Sequence, residues 1–431
     1  MKKIIGLILA VLMLMSVLPV SAFAVNYDAT PSVRNFKQLE AAIDDIDDGD
    51  TVLITLLRDI TIFDELEIDE ECTIYFQGGH NFILGDERAF YIDEDYVYLY
   101  FDRVGFYHPD NHEAIFDGHA IYVDGEDCII NGARFEGVGS RDRDWDGFSA
   151  WSGGAIYVND LGCRISDCQF LNCGCQSDGG AIYVCGADCI IQDCDFANCK
   201  AASEGGAIFV NKTGCEIRRC SFLECEGSGG AIYDYGAETK ISNCEFTSCS
   251  NHAICMNWDN CTIENCKFVD CHATRDGGAL SIEEDECLVK NCTFSNCYSE
   301  RKYSYILYRG GAAYVEDDCD DVYFEKCTFK DCYCPDDGQY VYSDRDAETT
   351  IINCTPNTKD RALYYDCSFS TSSSIPRGLF GSTFSNGSVW VVAGIGAVAV
   401  VAVSVIMAKK KKKAAVTVAA ETEETAETEE E

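Results

Sequence analysis

Short runs in which apolar and polar residues alternate dominate the middle of the chain. The hexapeptide GGAIYV stands at 153–158 and 179–184 and returns as GGAIFV at 205–210. About ten residues after each copy comes a second motif, CRISDCQFLNC in its first occurrence, whose alternation slips by one residue at its cysteines. A period of two predicts a strand with one buried face, and each slip predicts a corner between strands.

The second motif recurs in register with the small-residue turns. Its seven occurrences lie at 163–173, 189–199, 215–225, 239–249, 261–271, 287–297 and 322–332. Three short strands per row, with successive rows in register, describe one coil of a solenoid in which like residues stack. The sequence therefore predicts an all-β fold, a right-handed parallel β-helix of about ten coils between Ala89 and Val341.

Alternation within the turn motif separates inward from outward columns. The columns predicted to point inward are Ile121, Ile156, Ile182, Ile208, Ile232, Ile254 and Leu280, and Val123, Val158, Val184, Val210 and Ile282. The column between them, predicted to point outward, is Tyr122, Tyr157, Tyr183, Phe209, Tyr233 and Tyr314, interrupted by Cys255 and Ser281. Stacked aromatic rings outside the helix either bind a sugar or a protein partner or mainly stabilise one another.

The two ends of the solenoid need covers, because open strand edges invite association. Asn35 reads as the N-cap of an amphipathic helix over 36–46, in the segment 25–50, and this helix is predicted to cap the first coil. Residues 355–367 are predicted to cap the other end of the β-helix, whose full extent is 51–367.

The termini have the composition of targeting and anchoring segments. Residues 1–24 read as a secretory signal peptide, and 368–388 as a Ser/Gly-rich stalk. The uncharged stretch 389–408 is long enough to span a membrane as a helix, and the lysines that begin the tail 409–431 place that tail in the cytoplasm. The sequence thus predicts an exported, single-pass cell-surface protein.

Charge narrows the class of partner. The formal net charge is −40 with 28 cysteines in 431 residues. So negative a surface disfavours binding to nucleic acid. A glycan, a cation or a basic protein remains as the class of partner. The motif cysteines are either small buried residues or partly disulfide-bonded, while Cys175, Cys185, Cys255 and Cys334 lie off the columns and are better placed to form bridges.

One family resemblance rests on these motifs. The pair Gly179-Gly180-Ala181-Ile182 and Phe196-Ala197-Asn198-Cys199 resembles the GGA(I/L/V) and FxxN repeats of the polymorphic outer membrane protein adhesins, with Cys where that family has Asn. More generally, residues 33 to about 355 resemble pectate-lyase-like right-handed β-helix proteins. The resemblance implies a surface-displayed protein that adheres or binds glycans.

Two insertions carry the strongest candidates for binding outside the aromatic column. Residues 140–152 and 298–309 each enter just before a turn, so they are predicted to overhang the outward column. Their aromatic residues are Trp145, Trp151, Tyr303, Tyr305 and Tyr308. Loop aromatics that burial does not require favour a binding role.

Candidate catalytic and metal-binding residues are fewer. Asp317, Asp318, Asp320 and Asp321 offer the hard oxygen ligands that suit Ca²⁺, although acidic turns are common in this chain. His108, His112 and His119 are either turn residues or an acid/base or metal cluster. The main interpretation is a non-catalytic, adhesin-like β-helix that binds a glycan or protein without a required cofactor; the alternative is a Ca²⁺-dependent polysaccharide lyase or other carbohydrate-active enzyme.

Overall fold

The computed structural model describes residues 25–109, 118–139, 152–300, 309–360 and 362–370. From Tyr27 onward these residues belong to one compact unit, and their strands wind into a parallel β-helix with three long sheets. Each coil contributes one short strand to each sheet in the order sheet 1, sheet 2, sheet 3. The predicted fold class is confirmed for this part of the chain.

The strand bounds follow the repeat. Sheet 1, which follows the Gly-Gly-Ala turns, contains Leu66–Ile68, Phe90–Ile92, Ile121–Val123, Ile156–Val158, Ile182–Val184, Ile208–Val210, Ile232–Asp234, Ile254–Met256, Leu280–Ile282, Ala313–Val315, Val341–Ser343 and Tyr364–Tyr365. Sheet 2 contains Ser32–Val33, Thr51–Leu56, Thr73–Gln77, Tyr98–Asp102, Ile129–Asn131, Arg164–Ser166, Ile190–Gln192, Glu216–Arg218, Lys240–Ser242, Thr262–Glu264, Leu288–Lys290, Val322–Glu325, Thr349–Ile352 and Ser368–Ser370. Sheet 3 contains Ile60–Thr61, Asn81–Ile83, Gly105–Tyr107, Arg134–Glu136, Gln169–Leu171, Asp195–Ala197, Ser221–Leu223, Glu245–Thr247, Lys267–Val269, Thr293–Ser295 and Thr328–Lys330. Two small sheets pair Gly174–Cys175 with Lys200–Ala201 and His272–Ala273 with Tyr298–Ser299.

The stack is longer than the sequence predicted. Sheet 1 has 12 strands in the described residues, against about ten predicted coils. The additional coils come from 51–88, which have alternating strands but no Gly-Gly-Ala turn, and from the segment predicted to be the C-terminal cap. That segment supplies Tyr364–Tyr365 of the last coil instead of covering it.

The predicted inward columns are confirmed. Ile156, Ile182 and Ile208 pair in register and none of the three is exposed to solvent. Sheet 3 adds a column of phenylalanines, in which Phe170, Phe196 and neighbouring rings stack face to face 4.6–5.1 Å apart from Phe106 to Phe329. The core is therefore a set of continuous apolar stacks along the helix axis.

The turns before sheet 1 depend on glycine. The first residue of the pair, Gly179 for example, has a φ of +68°, which residues with a Cβ adopt rarely. A Cβ on the second residue, Gly180, would clash with the carbonyl oxygen of Gly206 in the next coil. The recurring pair thus meets two separate requirements, one of conformation and one of space.

Cysteines occupy the corners on either side of sheet 3. Each follows a residue with positive φ, as Cys199 follows Asn198 with a φ of +53°. The buried thiols donate to carbonyl groups of the preceding coil, and Cys199 Sγ lies 3.5 Å from the oxygen of Phe170. A buried corner thiol such as that of Cys199 therefore has a backbone acceptor in the coil before it.

None of the 28 cysteines, all of which lie in the described ranges, forms a disulfide. The structure therefore favours the interpretation as small buried residues, and the off-column residues Cys185, Cys255 and Cys334 form no disulfide either.

We expect alkylation of the denatured, unreduced protein to modify all 28 cysteines, because no cysteine of the folded chain forms a disulfide. Native protein should react far less, since only Cys185 and Cys367 are partly exposed. Mass spectrometry of the two samples measures this. Fewer adducts on the denatured chain than on a reduced control would reveal disulfides along the stacks.

The N-terminal helix packs where the sequence placed it but ends earlier. It runs over Phe36–Ile43, and the Asn35 side chain accepts a hydrogen bond from the Gln38 N–H at 3.1 Å. Leu39 and Ile43 are buried, and the helix contacts the first strands of sheets 1 and 2. A tighter turn at 44–46, closed by the Ile46 N–H on the Ile43 carbonyl, ends the helix while keeping Ile46 buried.

The predicted targeting and anchoring segments 1–24, 389–408 and 409–431 lie outside the described residues, as do residues 371–388 of the predicted stalk. Within the residues that the structure describes, no helix is long and apolar enough to cross a membrane.

Candidate functional site

An aromatic column runs along the outer face of sheet 1, as predicted. Ring centroids of Tyr122, Tyr157, Tyr183, Phe209 and Tyr233 follow one another at 4.8–5.4 Å, with nearly parallel planes. Such stacking covers ring faces and leaves edges and hydroxyl groups toward solvent. The column is interrupted at Cys255 and Ser281, which are buried.

The column continues beyond the predicted residues. Tyr91 stacks on Tyr122 at one end, and Tyr314, Tyr342 and Tyr365 form a second stack beyond the interruption. Sequence reasoning missed Tyr91, Tyr342 and Tyr365 because their rows lack a complete Gly-Gly-Ala turn.

Polar side chains border the column on both sides. One border comprises acids and amides that stand two positions after seven of the residues of the outward column, namely Asp93, Asp124, Asn159, Asn257, Glu283, Glu316 and Asp344. The other comprises residues at the start of the glycine turns, namely Asp178, Glu204 and Asp276. We call the aromatic column with these two borders the tyrosine trough. The borders were missed by sequence reasoning, although an acid or amide two residues after the tyrosine is a signal that could have identified them.

Hydrogen bonds tie the borders to the column. The Tyr91 hydroxyl donates to Asp124 at 2.9 Å, and the Tyr314 hydroxyl donates to Asp344 at the same distance. Asn159 Nδ2 donates to Asp124 at 2.6 Å. These contacts fix carboxylates beside aromatic edges along the trough.

Carboxyl groups on both borders flank the interruption of the aromatic column. Glu283 accepts hydrogen bonds from Ser281 Oγ at 3.1 Å and Cys255 Sγ at 3.2 Å, and a third from Asn257. Glu204, on the opposite border, has its pKa raised by burial and then by Asp178 and Glu283, while hydrogen bonding from the Tyr233 hydroxyl opposes the rise. The trough thus holds a carboxyl group with an increased tendency to stay protonated, facing a hydrogen-bonded carboxylate.

Each end of the trough holds an arginine. Arg88 lies 4.5 Å above the Tyr122 ring and pairs with Glu65 at 2.9 Å. Arg309 lies between 4.7 and 5.0 Å from the Tyr342 and Tyr314 rings and pairs with both Asp276 and Asp344 at 2.9 Å. Both guanidinium groups are neutralised by carboxylates of the protein.

An exposed aromatic pair lies beside the interruption. Tyr235 and Trp258 are 43% and 41% exposed, and their rings meet edge to face at 5.0 Å. Trp258 directly follows Asn257 of the border. The sequence prediction did not select this pair, because it stands outside the aromatic column.

The structure gives no contacts that support the binding residues predicted in the two insertions or the predicted metal sites. Trp145, Trp151, Tyr303, Tyr305 and Tyr308 lie outside the described residues, and their binding role stays a prediction. Among described residues, no group of three or more His, Cys, Asp or Glu side chains is arranged to hold a metal ion.

The Ca²⁺ site at Asp317, Asp318, Asp320 and Asp321 stays a prediction, and two of these residues contact other parts of the protein. Asp321 accepts from the Tyr323 hydroxyl at 2.7 Å, and the Asp320 N–H donates to Asp285. Asp317 and Asp318 are exposed.

The predicted histidine cluster is partly described. The His108 and His119 rings lie edge to face at 5.0 Å in the interior, whereas His112 lies outside the described residues. Burial, followed by the nearby His108, lowers the pKa of His119 to about 3. A neutral imidazole at physiological pH fits the role of a buried turn residue better than that of an acid/base group.

Comparisons with known proteins agree with the fold. A family model described as right handed beta helix region matches residues 70–236 and 205–374. No curated protein matches the chain. Among solved structures, a mannuronic acid specific polysaccharide family 6 lyase from human gut microbiota superposes with a TM-score of 0.53 at 11% identity, covering 80% of this chain and 92% of the lyase.

Two further structures are similar to the same extent. An alginate lyase in complex with a trisaccharide gives a TM-score of 0.54 at 11% identity, over 81% of this chain and 91% of that one. The alginate lyase AlyF-OU02 gives 0.54 at 12% identity, over 75% and 80%. At these identities the likeness concerns the fold.

Proposed function

Because the chain belongs to the right handed beta helix family, we propose that it is a carbohydrate-active β-helix protein that binds and cleaves a polysaccharide along the tyrosine trough. The observation that carries this proposal is the aromatic column bordered by carboxyl groups, among them Glu204, whose pKa burial raises, and the hydrogen-bonded Glu283. The fold neighbours are enzymes that act on polysaccharides, which favours the catalytic alternative over an adhesin without activity.

The trough suits an extended sugar chain. Aromatic edges and hydroxyl groups repeat at about 4.8 Å along the axis, and carboxylates and amides accompany them on both sides. Carbohydrate recognition combines apolar C–H contacts with several hydrogen bonds, and this surface offers both. A polysaccharide lying lengthwise would pass the interruption at Cys255 and Ser281.

The carboxyl pair supports hydrolysis. Glu204 in its protonated form would donate its proton to the glycosidic oxygen as the bond to the sugar breaks, and Glu283 would take a proton from the water that attacks the sugar carbon. Hydrogen bonds from Ser281, Cys255 and Asn257 hold the Glu283 side chain in place.

Elimination from a uronate fits less well. Lyase chemistry needs a positive group to neutralise the uronate carboxylate, and both arginines of the trough are already paired with acids, so a bound Ca²⁺ or another cation would have to supply that charge. Hydrolysis is therefore the reaction that the described residues support best.

We expect Glu204→Gln to lower the rate of polysaccharide cleavage about a hundredfold or more, because an amide cannot donate the proton. The assay measures new reducing ends on a panel of polysaccharides, with ultraviolet absorbance to detect unsaturated ends. Glu224→Gln, at an exposed corner of sheet 3, is the matched control and should keep full activity. Unchanged cleavage by Glu204→Gln would remove the assigned role. Tight binding without any cleavage by the unmodified protein would favour the adhesin interpretation.

A further inference from the structure

The tyrosine trough already stabilises two cations of the protein itself. Arg88 lies over Tyr91 and Tyr122, and Arg309 lies beside Tyr314 and Tyr342. In both places a positive group contacts aromatic rings and pairs with carboxylates. This surface therefore has the combination of groups that proteins use to bind cations, a ring quadrupole with a carboxylate beside it.

The middle of the trough has aromatic rings and carboxylates as well, but no arginine of the described residues lies among them. Asp178, Glu204, Glu283 and Glu316 form no ion pair with a Lys, Arg or His of the described residues. Burial raises the pKa of Glu316, with Glu283 as the next cause, and Glu204 behaves in the same way. Carboxyl groups therefore lie close enough along this stretch to raise the pKa of their neighbours, and none of the four has a cationic partner among the described residues.

An aromatic surface adjoins these carboxylates. Tyr233 ends the first stack, so no ring of the column covers its face toward Cys255. Trp258 and Tyr235 are exposed beside the same coils. These rings supply contact area for sugar C–H groups and attract positive charge.

We propose that the middle of the trough binds a polysaccharide that carries free amino groups, a polymer of de-N-acetylated hexosamine. This inference rests on the proposed function and specifies its substrate class. The ammonium groups of such a polymer take the place that Arg88 and Arg309 occupy at the two ends. A polyuronate would instead bring carboxylates against Asp178, Glu204, Glu283 and Glu316, which like-charge repulsion disfavours.

The experiment compares three hexasaccharides of equal length with the full-length protein. Glucosamine, N-acetylglucosamine and mannuronate hexamers are titrated at one ionic strength while tryptophan fluorescence and calorimetry report binding. We expect the glucosamine hexamer to bind about tenfold more tightly or better than the N-acetylated one, with a preference that falls as salt rises.

Two double variants localise the effect. Asp178→Asn with Glu316→Gln removes two carboxylates from the trough, and we expect the tenfold preference to be largely lost. Glu224→Gln with Asp270→Asn removes two charges from exposed corners after sheet 3 strands, and the preference should persist. An equal loss in both variants would show that the overall charge of −40, rather than the trough, attracts the polymer, and would overturn the inference.

The outcomes for this inference and for the proposed function differ. Tighter binding of the mannuronate or the N-acetylated hexamer overturns the substrate class and leaves polysaccharide binding standing. Failure of all three hexamers to bind, together with absence of cleavage across the polysaccharide panel, overturns both.

Discussion

Replacing Ile182 by Asp is expected to destabilise the β-helix by about 4 kcal/mol or more. The Ile182 side chain is completely buried between Ile156 and Ile208 of the neighbouring coils. A carboxylate there would have no partner within a stack of aliphatic side chains. The loss should appear as a large fall in melting temperature and in the denaturant midpoint.

Tyr183→Asp is the matched control for this change, because residue 183 lies on the outer face of the same strand. Tyr183 is half-buried and stacks on Tyr157 and Phe209 at 4.9 Å, so its replacement should cost about 1–2 kcal/mol. Equal losses for Ile182→Asp and Tyr183→Asp would contradict the assignment of inward and outward columns.

Asp234 is expected to make the stability of the protein fall as the pH rises toward neutrality. It occupies the inward column between Val210 and Met256 and is completely buried. Burial raises its pKa to about 7, although hydrogen bonds from Cys261, Thr239 and the Gly236 N–H act in the opposite direction. In the unfolded chain an aspartate has a pKa of about 3.9.

The direction of this pH dependence follows from the number of protons that the folded and the unfolded states bind. Between about pH 4 and pH 7 the folded protein binds a proton at Asp234 that the unfolded chain has lost, so the free energy of unfolding decreases as pH rises through this window. The total change is about 4 kcal/mol, and it is complete above pH 7. Below about pH 4 the residue is neutral in both states and costs nothing.

Asp234→Asn isolates this contribution, since all other carboxyl groups titrate alike in both proteins. Denaturant unfolding of each at several pH values should give a difference in stability that grows in favour of the variant from pH 4 to pH 7. Asp234→Val should also be more stable than the unmodified protein at neutral pH. Thr239 and Cys261 keep the Gly236 carbonyl as an acceptor in that variant. A difference that does not vary with pH would show that Asp234 is ionised in the folded protein at all these pH values.

The repeat allowed the coil architecture to be predicted from the sequence alone. Because coils stack in register, residues at one row position contact their equivalents one coil away, so a column of isoleucines or tyrosines in the aligned rows is a column in space. The aligned rows did not include 51–88, although the predicted β-helix began at residue 51, and 355–367 was predicted to be a cap; coils form in both segments without the diagnostic turn. Sequence reasoning also missed that every column cysteine follows a residue of positive φ.

The sequence by itself determined the fold class, the inward stacks and the outward aromatic column with its interruption at Cys255 and Ser281. Only the tertiary structure decided what surrounds that column. Glu204 and Glu283 belong to different row positions three coils apart, and Arg309 reaches carboxylates on both borders. Contacts within a column follow from strand register, which periodicity encodes, whereas contacts between columns depend on turn length and side-chain rotamers, which it does not.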